Sequence, residues 1–356
     1  MAVNYAHKLH QLIESVLENE ASDLHFSVGH KPVLRITGKL TPLSDFSVLT
    51  TEDVLGYADV LLSEHRRQEF DDHWQADFAF QATNGQRFRG HIFYQKGEPG
   101  IVLRHISDEI KTVDELSLPP VLYSFAQMRQ GFFLCVGPVG QGKSTTLASM
   151  VDYVNEKRFE HIVTIEDPIE YVYKPKQSII DQREVGIDTQ SFEDGLHATF
   201  RQDVNVILVG EMRSRETIAT AVTAAETGHL VLSTMHTNNA AQSINRIIDS
   251  MPGDAKDQVR MQLAGSLAGI FSQRLIPTVD GTGRIPAYEL LVNTNAVANL
   301  IREDRIHEIN SVIETGLEQG MIDMNRSLVD LVKKGLITVE DAFSHSFNPK
   351  ALERLI

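Results

Sequence analysis

Leu9, Leu12, Ile13, Val16 and Leu17 recur at i, i+3, i+4, i+7 and i+8, which predicts an amphipathic helix near the start of the chain. Leu24, Phe26 and Val28 then alternate with Asp23, His25 and Ser27, the period of a half-buried strand. Leu34 and Ile36 predict another strand, closed by the turn signal Thr37-Gly38. Val54, Leu55, Ala58, Leu61 and Leu62 restore helical spacing, and strand-like runs follow near 75–82, 86–94 and 100–106. Asn84-Gly85 marks a hairpin between the first two of these runs. Residues 1–106 are therefore expected to form a small α+β domain. The polar stretch 107–120, which ends in two prolines, reads as a linker.

Beyond it the pattern changes. GFFLCV at 131–136 is continuously apolar, as expected of a strand buried on both faces. Similar runs recur at 161–165, 204–210 and 229–234, with helical spacing between them, for example at Leu147, Met150, Val151 and Val154. Strand alternating with helix predicts an α/β fold with a doubly wound, largely parallel sheet. From about residue 239 the spacing predicts mainly helix, with a Pro- and Gly-marked break at 277–286.

The first buried strand runs into Gly137, Pro138, Val139, Gly140, Gln141, Gly142, Lys143 and Ser144, followed by Thr145. This is G-x-x-x-x-G-K-[ST] between a strand and a helix, the context in which such a loop binds phosphate. Its glycines let backbone N–H groups turn inward, and the helix N-terminus adds a positive dipole end. Lys143 supplies charge to the β- and γ-phosphates, and the Ser144 hydroxyl can ligate Mg²⁺. ATP and Mg²⁺ are the expected cofactors. Lys143 is expected in a solvent-facing loop, so that replacing it would stop turnover and spare the fold. Cys135, inside the feeding strand, reads as a small buried hydrophobe.

Ligands of doubly wound sheets bind beyond the carboxyl ends of the strands. There stand Glu166, Asp167 and Glu170 after one run, Glu211 after another, and His236 after a third. The chemistry needs one acid for the metal and one for the attacking water. Glu211 has the position of a Walker B acid, and the others are candidates for the second role. Each acid alone would read as a cap or a solvated loop charge; their convergence on one sheet end favours chemistry. His229 and His236 flank one strand seven residues apart, an odd spacing that places them on opposite faces and argues against a shared metal. His236 is the better γ-phosphate sensor. His229 is a sensor, a subunit contact or a structural hydrogen bonder. Arg87, Arg89 and Arg104 lie on neighbouring strand-like segments of the first domain, and an arginine reaching a phosphate would stabilise transition-state charge.

Composition narrows the partners. Lys plus Arg is 33 against 48 Asp plus Glu, a net charge of −15, which argues against a nucleic-acid motor. One cysteine excludes a disulfide framework and a multi-cysteine zinc module within this chain, and fits a reducing compartment. No apolar run approaches the roughly 18 residues of a membrane span, and the opening segment lacks a secretory apolar core. A cytoplasmic protein without direct membrane insertion is expected.

GPVGQGKSTT, TIEDPIEYV, VGEMR and TAAETGHLVLSTMHTN together resemble the secretion ATPase superfamily of type II secretion and type IV pili. ASDLHF, RFRGHIFYQ, GIVLRHI, QREVG, SQRL, AYELL, NLIRE, MNRSL and GLITVEDA extend the likeness along the chain, toward the pilus-retraction branch. The resemblance implies a PAS-like domain over 1–106, a linker over 107–120 and a RecA-like ATPase domain with C-terminal helices over 121–356. It implies that Lys143 and Ser144 bind phosphates and magnesium. Glu170 and Glu211 would act on the metal and water, and His229 and His236 would form a His box. Arg89 and Arg104, with Arg87 beside them, would act as arginine fingers. It further implies a homohexameric ring working on an inner-membrane platform protein, at the inner face of the cytoplasmic membrane, to retract a pilus and drive twitching. An accessory motor of the same branch, or a type II secretion or pilus-assembly ATPase, would share the chemistry. The extension and secretion members resemble one another in a four-cysteine zinc site, for which this chain lacks the cysteines. A subunit that binds nucleotide without cycling is disfavoured by the presence of Lys143 and Glu211. Departures from the branch pattern are Val139 and Gln141 in the loop, Val204-Asn205 before Glu211, Ser214 where an aspartate is usual, and Ala298 where an arginine is usual. Loss of the aspartate is expected to weaken a local salt bridge or subunit contact.

Overall fold

A computed structural model describes residues 4–106, 109–281 and 283–356. Ser107 and Asp108 of the expected linker, Thr282 of the expected break and the first three residues of the opening segment lie outside the described residues. The chain divides into two compact units, Met1–Glu109 with Glu170–Val172, and Ile110–Ile169 with Tyr173–Ile356.

The first unit runs α1 (Tyr5–Glu18), β1 (Asp23–Ser27), β2 (Val33–Ile36), β3 (Lys39–Pro42), α2 (Thr51–Leu61), α3 (Glu64–His73), β4 (Gln75–Gln81), β5 (Arg87–Gln95) and β6 (Glu98–Ile106). Its strands form one antiparallel sheet in the order β3-β2-β1-β6-β5-β4. Leu9, Leu12, Ile13 and Val16 of α1 bury the predicted stripe against Leu24, Phe26 and Leu103 of the sheet core. Asn4 caps α1 by accepting from the His7 N–H, and Thr50 with Asp53 closes a capping box on α2.

The second unit runs α4 (Val121–Ala126), β7 (Gly131–Val136), α5 (Lys143–Lys157), β8 (His161–Glu166), β9 (Ile179–Glu184), α6 (Phe192–Thr199), β10 (Val206–Val209), α7 (Arg215–Glu226), β11 (Leu230–Met235), α8 (Ala240–Asp249) and α9 (Lys256–Ser266). It continues with β12 (Leu267–Pro277), β13 (Arg284–Val292), α10 (Asn295–Arg302), α11 (Ile309–Thr315), α12 (Met324–Lys333), α13 (Val339–His345) and α14 (Pro349–Leu352). The sheet order is β13-β12-β7-β11-β10-β8-β9, parallel throughout except for β13. Every residue of β7, β10 and β11 is buried, which explains the unbroken apolar runs of β7 and β10; in β11 the buried hydroxyls of Ser233 and Thr234 donate to the Val209 and Gly210 carbonyls. This is the doubly wound, RecA-like α/β fold.

The mainly helical reading beyond residue 239 needs correction. Residues 267–292 hold two antiparallel strands, β12 and β13, and the expected break falls where they meet, with Pro277 still paired to Arg284 and Leu275 to Pro286. Ser272, Gln273 and Arg274 are consecutive buried polar residues in β12, so neither a helical nor a strand period survives there. Among the described residues no helix is long and apolar enough to cross a membrane.

Candidate active site

The phosphate loop leaves buried β7 and enters α5 at Lys143. Gly137 has φ 145°, and a Cβ there would stand 2.6 Å from the Gln273 carbonyl oxygen, so only glycine fits. Gly142 is the helix cap, with φ 79° and no side-chain bond to the first turn, and the N-terminal end of α5 faces the loop with its positive dipole end. Lys143 is 7 % exposed, contrary to the expected solvent-facing loop. The loop curls over it: its Nζ donates to the carbonyls of Gly137 at 2.8 Å and Pro138 at 2.9 Å.

Beside this loop the parallel register brings together the ends of three adjacent strands. Met235 of β11 pairs with Val136 of β7, and Ser233 pairs with Val209 of β10. His236 follows β11 and places Nδ1 3.4 Å from Lys143 Nζ and Nε2 3.0 Å from Glu211 Oε1. An imidazole protonated on Nε2 serves both contacts, donating to the carboxylate and accepting from the ammonium. Arg213 Nε donates to the same Glu211 oxygen at 2.8 Å. Burial disfavours the Glu211 charge, but Arg213 and His236 outweigh it and hold the carboxyl below its ordinary range. The site thus carries a carboxylate, an imidazole and an ammonium in successive contact beside the glycine-rich turn.

The other candidates are placed differently. Glu166 ends β8, buried, and accepts from Thr164 Oγ1 at 2.6 Å. Asp167 is exposed. Glu170 is exposed and belongs to the stretch Glu170–Val172 of the first unit. His229 precedes β11: its Nδ1 meets the Ala224 carbonyl at 2.9 Å and its ring stands edge-on to Phe200 at 5.7 Å. The strand between them holds His229 and His236 about 20 Å apart, so their separation is a matter of strand length as much as of faces. In the first unit Arg89 and Arg104 are direct partners across β5 and β6, both exposed. Arg104 Nε is bound to buried Asp23 at 2.9 Å, and Arg87 pairs in register with Ile106. Cys135 is fully buried, and burial pushes its thiol up to about 12.

The residues that sequence reasoning missed lie on β12. Gln273 contacts both the loop and α5, and Arg274 contacts Asn238 behind His236. SQRL flagged them as a family mark without a place in the fold. Three of the departing residues take ordinary places in the fold. Ser214 caps α7 by accepting from the Thr217 N–H at 3.1 Å, a task any short polar side chain performs. Asn205 Oδ1 accepts from the His161 N–H at 2.9 Å, and Ala298 is buried on α10.

A sequence model of the family described as type II/IV secretion system protein matches residues 94–343. The chain belongs to that family. Within it, the chain is 41 % identical over 349 residues to the type IV pilus ATPase PilU of Pseudomonas aeruginosa, covering 97 % of this chain and 90 % of that protein. It is also 41 % identical over 332 residues to the retraction ATPase PilT of the same organism, covering 93 % of this chain and 96 % of that protein. A crystal structure of the pilus retraction motor PilT with bound ADP superposes with TM-score 0.91 at 46 % identity, covering 97 % of this chain and 99 % of that one. The ATPase DotB of Legionella pneumophila shares the fold, with TM-score 0.83 at 24 % identity over 95 % of this chain and 94 % of that one. This member of the type II/IV secretion family is therefore an ATPase of its PilT/PilU branch.

Proposed function

We propose that the protein is a Mg²⁺-dependent ATP-hydrolysing motor that retracts a type IV pilus, as a homohexamer acting on an inner-membrane platform protein from the cytoplasmic side. The observation that carries the reading is the alignment of Lys143, His236 and Glu211 beside a phosphate loop, in a chain 46 % identical to a retraction motor that binds ADP.

In this reading Lys143 neutralises the β- and γ-phosphates, the N–H groups of Gly140 to Thr145 cradle them, and His236 senses the γ-phosphate. Among the described residues, no three or more His, Cys, Asp or Glu side chains are grouped to hold a metal. Mg²⁺ needs no such cage, since it keeps waters and shares phosphate oxygens. The Ser144 hydroxyl and Glu211, through water, are the protein oxygens that fit it, and the ion would neutralise charge on the phosphates. Glu211 and Glu170 are the acids assigned to the metal and the attacking water, His229 to the His box, and Arg89 and Arg104, with Arg87, to charge stabilisation on a neighbouring subunit's nucleotide. Residues 1–106 would be the PAS-like part, 107–120 the linker and 121–356 the motor domain.

Deleting the chain in its source organism, with pilus length and retraction scored, tests this. Long pili that fail to retract are expected. Absent pili would assign the chain to extension, and intact retraction at low load would assign it a PilU-like accessory role, which the 41 % identity to PilU makes the second reading.

A further inference from the structure

Three neighbouring strands supply the residues aligned beside the phosphate loop, but a fourth holds the loop in shape. β12 runs parallel to β7, with Phe271 opposite Cys135 and Ser272 opposite Val136. The next two residues, Gln273 and Arg274, therefore stand level with the loop just past the end of β7. Both are buried, Gln273 to 2 % exposure.

We propose that Gln273 is a positioning residue for the nucleotide chemistry, which fixes the phosphate loop to α5, and that Arg274 beside it fixes the loop that carries His236. The proposal rests on the reading of this loop as an ATP-hydrolysing site. Neither residue is assigned a contact with nucleotide; both act through the groups they hold.

The Gln273 carboxamide has both ends engaged. Its Nε2 donates to the Gln141 carbonyl at 2.8 Å, and its Oε1 accepts from Thr146 Oγ1 at 2.7 Å. A carbonyl only accepts, so the amide orientation is set by Gln141. The Gln141 side chain answers: its Oε1 accepts from the Leu275 N–H at 2.7 Å. The loop is thus tied to β12 through both the backbone and the side chain of one residue, and α5 is tied through Thr146. Arg274 reaches the other way. Its Nη1 donates to the Gln273 carbonyl at 2.8 Å and its Nη2 to Asn238 Oδ1 at 3.1 Å, while Ser272 Oγ donates to the Asn238 carbonyl at 2.7 Å. Asn238 is two residues past His236. Adjacent residues on one rigid strand therefore hold the Lys143 loop and the His236 loop in fixed relation. Preorganised donors stabilise charge best when their supports leave no play.

The test uses the full chain with three substitutions. Gln273→Glu keeps the size and the acceptor for Thr146 but sets an oxygen against the Gln141 carbonyl. Gln273→Met keeps the volume and removes both bonds. Thr146→Val removes one hydroxyl and keeps the fold safe if the others unfold. Two readouts are taken: amide hydrogen exchange of residues 139–145 without nucleotide, and kcat and KM for ATP hydrolysis. Expected are faster exchange across the loop in all three, and kcat/KM reduced about tenfold or more in Gln273→Glu, with Gln273→Met and Thr146→Val between it and wild type. Unchanged loop exchange in the folded variants overturns the positioning role, as does kcat/KM within twofold of an active wild type. A wild-type chain without turnover would overturn the ATPase reading instead, and the exchange data would still decide whether Gln273 holds the loop.

Discussion

Glu211 Oε1 stands 3.0 Å from His236 Nε2, although the two residues lie at the ends of different strands. The contact is made by the parallel pairing of β10 and β11, in which Val209 and Ser233 end level. A carboxylate held below its ordinary pKa range remains an acceptor throughout the neutral range. Replacing Glu211 with glutamine is expected to lower ATP turnover about 10²–10⁴-fold while leaving ADP affinity near wild type. Turnover within threefold of wild type would remove Glu211 from the chemistry. The stability that this carboxylate adds is present above the ordinary value of about 4.3. It is lost as pH falls through the lower folded value.

Lys143 is buried under its own loop and bonded to two carbonyls. Lys143→Ala is expected to lower turnover about 10³-fold or more, by removing the charge that the proposed mechanism sets against phosphate. It should also cost about 1–3 kcal/mol of stability, since it strands the carbonyl of buried Gly137. Turnover and a urea unfolding curve on the same preparation check both. A variant that unfolds at the wild-type midpoint would show the two bonds to be idle.

Glu289 is 5 % exposed on β13 and accepts the N–H of Ala240, the first residue of α8, at 2.9 Å. Burial pushes its carboxyl up to about 7, with the Ala240 bond and Arg274 opposing and Asp323 adding to the rise. The folded state therefore binds a proton that the unfolded chain has released. Stability falls as pH rises from the unfolded value toward 7, by on the order of 3 kcal/mol, and is flat above it. Glu289→Gln cannot ionise and should lack that slope. Urea midpoints of both proteins between pH 5 and 8 decide it; parallel profiles would refute the assignment.

Cys135 has no exposed surface and a thiol raised to about 12, so almost no thiolate forms at neutral pH. A colorimetric thiol reagent at pH 8 is expected to leave the native protein unlabelled and to react with one thiol per chain in denaturant. Rapid labelling of native protein would show that β7 opens.

The phosphate loop was legible because its chemistry is local: glycines, a lysine and a serine within eight positions between a strand and a helix. Glu211 and His236 were legible as strand ends, since apolar runs announce where buried parallel strands stop. Their pairing with Lys143 required the strand order, which no period encodes. The burial of Lys143 was hidden because it depends on how the loop closes, not on what precedes or follows it. Gln273 and Arg274 were hidden for a different reason. A strand whose polar residues are turned inward to bind a loop loses the alternation by which strands are recognised, and SQRL looks like surface until β7 and Asn238 are placed around it.

β7 has a parallel neighbour on each side, β12 and β11. A pull on the phosphate loop along the strand axis therefore loads two ladders in shear, so that their bonds resist together instead of unzipping one by one. The phosphate loop thus stands on a stiff footing, and yielding under load is expected away from it.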